Sequence, residues 1–599
     1  MNMNVFPVRL PGLGALLLAV LCGSVAAEPA AAPVPVRWNV SAAGAVGDGQ
    51  TDQTAVFQRL LDEAGRAGGG VVEVPAGRYA LKGNLKVPAG VTLQGTFRVP
   101  PTIHHNAARE LGGSVLLAYA GRGQAQGEPF IRLAGHNAAI AGLVITYPEW
   151  KQTDVPPVPY PPCVLAEHAE NVGIQECLFL NPYEAIKLVH AARHLVRNVT
   201  GYPSRRGIYV DECYDIGHIE NVHFWPFGVN YKPDDPYCRW INTQGVAFEL
   251  ARTDWHYVFN TFCFGYGIGY KFSESKAGSA NGNFLGLGAD SCERAVVVDQ
   301  AQAPGLLISN GEFVGRWSGT NSVCLEIGPQ AAGKVSLVNC SFWGPIDRCV
   351  WMRSPVGQFT ASACNFVNWD VRNAGVPAIQ LDAGRAIIQG CTFEQEGPHV
   401  LVAKPVTSAL LVGNQAARGL VAENQAGQRT QLCANEAAAP EWTAEAKKHY
   451  RVLVGTAGDG LFMRGWYGRE TMHEAGVKRT FRWSATDSQL KLTVVPGEPY
   501  TLTVKLNAPS VAVAPDTGLY LAGQRLAAIK AGEQTLTVEL PASQAETVIL
   551  QVVCTGWTPS RLNPAAQDER TLGVKASELT MRAKGAAGRV FLVNQAVWE

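Results

Sequence analysis

The sequence predicts an all-β protein: a right-handed single-stranded parallel β-helix with an N-terminal capping helix, followed by a C-terminal antiparallel β-sandwich. Three observations predict it. A short phrase ending in an aromatic recurs between about residues 130 and 415. A second apolar strand recurs beside it, each copy closing on a charge. Beyond residue 435 the repeat stops and alternating strands separated by Gly and Pro turns take over.

The recurring phrase reads Glu176-Cys-Leu-Phe179, Asn221-Val-His-Phe224, Asn310-Gly-Glu-Phe313, Asn339-Cys-Ser-Phe342, Ala363-Cys-Asn-Phe366 and Gly390-Cys-Thr-Phe393, with Asn198-Val-Thr-Gly201 as a variant. The last four copies are spaced by 29, 24 and 27 residues, which suits one coil of three short strands. Strand alternation turns the Cys and Phe positions to one face. Cys340, Cys364 and Cys391 are therefore expected as an inward stack of small buried residues, with disulfides between coils as the alternative.

The second strand reads Gly207-Ile-Tyr-Val-Asp211, Gly245-Val-Ala-Phe-Glu249, Gly267-Ile-Gly-Tyr-Lys271 and so on to His399-Val-Leu-Val-Ala403-Lys404. Aligning the copies on their last residue gives one column: Asp211, Glu249, Lys271, Asp299, Glu326, Arg353, Asp382, Lys404. Neighbours in it are expected about 4.8 Å apart.

At the front, Thr51 or Asp52 is expected to cap a helix over Ala55–Ala64, and Gly68-Gly-Gly70 to end it. Gly47-Asp48-Gly49-Gln50-Thr51-Asp52-Gln53-Thr54 resembles the GDGxTDDT-like opening of exported β-helix proteins of the pectate-lyase and family 28 glycoside-hydrolase superfamily, with Gln53 in place of Asp. The resemblance implies a helix covering the open end of the solenoid; it is silent on the reaction. Asn181-Pro-Tyr-Glu-Ala-Ile186, Gly207–Asp211 and Ile219-Glu-Asn-Val-His-Phe-Trp-Pro226 resemble β-helix proteins described as family 28-related, which implies a carbohydrate context. The family 28 catalytic pattern (NTD, DD, GHG, RIK) is absent; Asp211-Glu212 and Gly217-His218-Ile219 are at most distant echoes. Pro559-Ser-Arg-Leu562 and Asp568–Val574 resemble the closing motif of jelly-roll modules on bacterial carbohydrate-processing proteins.

The expected domains are a signal peptide over 1–27, a β-helix over 28–435 and a jelly-roll-like sandwich over 436–599. Arg9, the apolar run Leu13–Val20 and the small residues Val25-Ala26-Ala27 read as a secretory signal, so the protein is expected to be secreted or periplasmic. That run falls short of the ~20 residues a membrane span needs, and none later is apolar enough. Lys+Arg and Asp+Glu both number 50, so no basic excess points to nucleic acid. The 14 cysteines form no CxxC pair and no His/Cys cluster at zinc spacing, and no metal ligands are assigned. The composition leaves oligomeric state open.

Candidate chemistry gathers around one insertion. The coils ending at Asp211 and Glu249 are 38 residues apart, against 22 to 29 elsewhere. The extra length holds Trp225, Lys232, Arg239 and Trp240, and a second aromatic loop holds Trp150 and Tyr160. Aromatics on long loops beside a sheet suit a sugar-stacking groove; shielding of the coil is the plain alternative. Asp211 and Glu249, stacked on adjacent coils, would form a like-charge pair of the kind a glycosidase uses. Glu212, Asp215 and Lys271 complete the candidate catalytic set, with His218, Arg252 and Asp254 as further binding candidates. The plain alternative is a salt-bridge ladder at a solvated corner.

These features fit three functions with a carbohydrate partner. The first is a glycoside hydrolase using paired carboxylates. The second is a polysaccharide lyase eliminating beside a uronate, for which Lys232, Arg239, Lys271 and Arg252 supply cations and Asp234-Asp235 are candidate Ca²⁺ ligands; hydrolysis itself calls for no cofactor. The third is a non-catalytic surface binder.

Overall fold

The computed structural model describes residues 36–99, 112–316, 321–416, 419–435, 442–456, 459–474, 477–563, 566, 568–586, 588–593 and 597–598. The expected signal peptide and the Ala/Pro linker at 437–440 lie outside them. Among the described residues no helix is long and apolar enough to cross a membrane.

The predicted cap is present. The helix Thr54–Arg66 buries Phe57, Leu60, Leu61 and Ala64 and packs over the first strands of the coil, Gly70–Glu73 and Leu85–Val87. Its first residue outside the helix is Gln53, which makes no side-chain cap; Asp52 does that work, accepting from Thr54 N at 3.0 Å. Asp48 folds the preceding turn by accepting from Gln50 N, Thr51 N and the Thr51 hydroxyl. That hydroxyl, first among these donors, holds the Asp48 carboxyl below the usual carboxylate range.

Parallel coils follow. Thirteen strands from Leu85–Val87 to Ala422–Asn424 form one parallel sheet, here called the second sheet. The remaining strands of the coils form a 24-stranded sheet in which most coils contribute two segments that meet at a left-handed residue. Glu176, Asn198, Asn221, Asn310, Asn339, Ala363 and Gly390 all have φ between 52° and 58°. These are the first residues of the recurring phrase, so the phrase marks a bend that Asn and Gly tolerate best. Asparagine amides tie adjacent bends: Asn221 Nδ2 donates to Asn198 Oδ1 at 2.6 Å, and Asn339 Nδ2 to Asn310 Oδ1 at 2.8 Å.

Inside the coil, Phe313, Phe342, Phe366 and Phe393 stack with centroids 5.3, 5.1 and 4.9 Å apart. Cys340, Cys364 and Cys391 are buried beside them as free thiols, as are the other buried cysteines; among those described only Cys433 is exposed. The inward stack is what forms, and the disulfide alternative is not.

From His449 the strands pair mostly antiparallel. Val477–Thr493, Tyr500–Ala508, Gly532–Leu540 and Thr547–Val553 are four of them, in line with the alternating strands expected beyond residue 435. They enclose a separate core with Trp466, Leu490, Leu502, Leu550 and Met581. This part touches the coils where Gly465 N donates to Asn373 O at 3.2 Å.

Candidate active site on the second sheet

The register of the second sheet corrects the expected column. Tyr209, not Asp211, lies opposite Glu249, and Glu249 lies opposite Lys271. Lys271 then pairs with Val297, Val297 with Glu326, and Glu326 with Trp351. Asp211, Asp299, Arg353 and Asp382 sit two residues further along their strands. A slip of two keeps every side chain on its own face, so the alternating pattern cannot detect it; a slip of one would have exposed the core. The single column is therefore two outward rows, and Asp211 and Glu249 do not stack.

Asp211 is fully engaged. Its Oδ1 accepts from Glu212 N at 2.9 Å, Arg252 N at 3.0 Å and Ser275 Oγ at 2.8 Å, and its Oδ2 from the Tyr209 hydroxyl at 3.1 Å. It ties three coils and aims Tyr209. Glu249 is buried and reaches Arg206 Nε at 3.4 Å, while Glu184 approaches the same atom at 3.7 Å. Lys271 pairs with Asp299 at 3.3 Å.

The candidate residues also divide between two corners. Strands of this sheet are five or six residues long here, about 17–20 Å. Asp211, Glu212, Asp215, Arg252, Asp254 and His218 lie at or beyond the strands' C-terminal ends. There Arg252 Nη2 bonds Asp254 at 2.7 Å, Arg193 Nε bonds Asp215 at 2.7 Å, and His190 faces Glu212 at 3.4 Å. The loops with Trp150, Tyr160, Trp225, Lys232, Arg239 and Trp240 precede the strands, at the opposite corner. One groove joining all of these residues is not what the coil builds.

The loop aromatics mostly pack on one another. Tyr160 is buried and sits edge-on to Tyr147. Trp150 Nε1 donates to Tyr237 OH at 2.9 Å, Trp225 lies 4.6 Å from Phe264, and Trp240 tilts against Tyr183. A small pocket remains beside Trp150, lined by Arg78, Thr146, Leu180 and Asn181. Within the insertion, Pro236–Gln244 is a helix capped by Asp235, whose Oδ1 accepts from Tyr237 N and Cys238 N. That oxygen is thereby committed to the cap rather than left for a cation. Lys232 and Arg239 are exposed.

The outward strip joins two residues expected from sequence, Glu249 and Lys271, with others that the sequence reading did not single out: Glu184, Lys187, Arg206 and Tyr209. Lys187, Tyr209, Glu249 and Lys271 follow one another in register, with the Arg206 guanidinium 4.7 Å over the Tyr209 ring. The Tyr209 phenol is pushed up by burial first, then by the Asp211 and Glu249 carboxylates. It is a neutral proton donor at any physiological pH. Alternation within Gly207–Asp211 already sets Tyr209 on the same face as Asp211.

A second surface lies on the larger sheet. His218 stacks on Tyr257 at 5.2 Å and opens a shallow trough continued by Phe259, Leu285, Leu307 and Val338.

Residues 37–152 match the family model described as Rhamnogalacturonase A/epimerase, pectate lyase-like. Among curated proteins, Alginate lyase 7 of Azotobacter vinelandii is 40% identical over 58 residues, 10% of this chain and 7% of that one. Mannuronan C5-epimerase AlgE1 of the same organism is 50% identical over 46 residues, 8% and 3% of the two chains. The chain thus spans under a tenth of the length of either relative. The AlgE6 A-module, also from Azotobacter vinelandii, aligns with 14% identity and a TM-score of 0.39, covering 67% of this chain and all of that one. The matched N-terminal segment and the parallel coils relate this chain to the pectate-lyase-like β-helix superfamily.

Proposed function

We propose that the chain is an exported enzyme acting on a uronate-containing polysaccharide, with proton transfer beside the sugar carboxylate as its reaction class. The observation that carries this is Tyr209: a neutral phenol on an outward sheet face, with Arg206 over its ring, Lys187 and Glu249 on either side of it in the row and Lys271 one strand beyond Glu249. Elimination or epimerisation next to a uronate needs its carboxylate neutralised, the proton on the adjacent carbon taken by a base, and a proton returned to the leaving oxygen or to the opposite face of that carbon. The cations serve the first need, the Glu249 carboxylate beside Tyr209 the second, and Tyr209 the third, with Asp211 as its positioning residue. The names of the relatives matched at the N-terminus, an alginate lyase and a mannuronan epimerase, favour the same substrate class.

Hydrolysis is the second reading, and one observation favours it. Glu184 and Glu249 flank Arg206 from adjacent strands, so two carboxylates share one site although Asp211 is not among them. Glycosidases need such a pair.

A polysaccharide panel distinguishes the readings. Elimination gives an ultraviolet-absorbing unsaturated product, epimerisation changes the uronate without cutting the chain, and hydrolysis gives reducing ends alone. Tyr209→Phe is expected to lower turnover at least ~100-fold while thermal unfolding stays unchanged. Full activity in Tyr209→Phe, with loss in Glu249→Gln and reducing ends alone, overturns the proton-transfer reading in favour of hydrolysis.

A further inference from the structure

His194, Cys213 and His256 meet inside the coil, none with measurable exposure, and their ligand atoms lie within 4.8 Å of one another. Their convergence has a specific cause. Leu195 pairs with His218 and His218 with Tyr257, so the preceding residues His194, Gly217 and His256 form one column across three successive coils. The middle member has no side chain. The two imidazoles close over the gap from either side, bringing Nε2 to within 3.1 Å of Nε2. A Cβ on Gly217 would lie 2.3 Å from His194 Cε1 and 2.6 Å from both Nε2 atoms. Cys213, on the same coil as Gly217, brings its thiol to 4.0 Å from His194 Nδ1.

The tautomer is set for ligation. His194 Nδ1 is 2.7 Å from the Ala191 carbonyl, so Nδ1 carries the proton and Nε2 presents its lone pair inward. A backbone acceptor on the far nitrogen is the usual support of a ligating imidazole.

We propose that His194, Cys213 and His256 bind a single thiophilic d10 metal ion, Cu(I) or Zn(II). Two imidazole nitrogens each about 2.0 Å from one metal sit about 3.3 Å apart at a tetrahedral angle, so the observed pair needs to open by only ~0.2 Å. The trio contains no carboxylate, which disfavours hard cations such as Ca²⁺ and Mg²⁺. Binding exchanges the thiol proton, released to solvent, for a metal–sulfur bond. One thiolate and two neutral imidazoles around Cu(I) carry no net charge, whereas Zn(II) leaves one positive charge in a buried site; desolvation favours the first. The bound ion would clamp three coils beneath Glu212 and His218.

A plain His256 Nε2–H to His194 Nε2 hydrogen bond makes the opposite prediction, a site with no metal affinity. The test refolds the full chain anaerobically with Cu(I), with Zn(II), or with Co(II) as an optical probe, and measures retained metal after gel filtration. One equivalent of Cu(I) or Zn(II) per chain, a thiolate-to-cobalt charge-transfer band and a raised thermal midpoint are expected. Cys213→Ser is expected to lose the band and the equivalent, while Cys433→Ser, at the exposed cysteine, keeps both. Folded wild-type chain that retains neither ion overturns the proposal, as does a band that survives in Cys213→Ser. The wild-type measurement decides even if Cys213→Ser fails to fold.

Discussion

The coils between Glu184 and Phe272 and those between Asn310 and Phe393 share one construction and hold different things. The later coils repeat themselves. Phenylalanines and thiols stack inside, and ion pairs line the outside, with Arg353 at 2.9 Å from Glu326. The earlier coils break the repeat. Tyr202, Tyr266, Tyr270, His194 and His256 enter the interior, each with a hydrogen bond to the backbone or to a neighbouring side chain, and an inserted helix crowds one corner. Buried polar groups contribute less to stability than apolar ones and need defined partners. Where a solenoid departs from its repeat it has exchanged uniform packing for specific geometry.

The largest expected effect tests the later coils. Phe366→Ala removes the middle of the ring stack and is expected to cost about 3–5 kcal/mol of stability, read as a lower urea midpoint. A loss below about 1 kcal/mol would mean the regular stack is not what holds this region.

Asp211→Ala probes the earlier coils. It strips the acceptor from Arg252 N, Ser275 Oγ and Tyr209 OH, and a loss of about 1–3 kcal/mol is expected. Were Asp211 a solvated corner charge, equilibrium unfolding would register almost nothing.

A third prediction concerns pH. His399 is buried between Trp369 and Phe393, with Nε2 donating to Gln395 O and Nδ1 accepting from Val421 N. Burial holds it below the ordinary histidine value. The unfolded chain therefore takes up the proton first, and the contribution of His399 is present above the ordinary value, about 6.5, and lost as pH falls through it towards the folded value. The urea midpoint is expected to fall over that window, and His399→Gln to flatten the fall.

The smallest effect is expected at the ion ladder. Arg353 is 40% exposed, and Arg353→Ala should change stability by no more than about 1 kcal/mol. A larger loss in a double-mutant cycle with Glu326 would show that the ladder acts as a network.

Much of the fold was legible because it rests on local chemistry. The cap follows from Asp48 and Asp52, and the bends from Asn198, Asn221, Asn310 and Asn339 at positive φ. The inward faces of Cys364 and Phe366 follow from period-two alternation. The candidate strip was legible only in part: Glu249 and Lys271 were paired as the register has them, whereas Asp211 was placed two residues out and Tyr209, Arg206, Glu184 and Lys187 were not singled out. The loop aromatics were located but their mutual packing was not.

The sequence by itself determined the coil, its capped end, its bends and which side chains face in, because each depends on residues near one another in the chain. Only the tertiary structure decided the register between coils, since a two-residue slip leaves the alternating pattern intact. That register sets Tyr209 against Glu249. It also brings His194 and His256 together over Gly217, 62 residues apart in a chain whose local spacing gave no sign of a shared site.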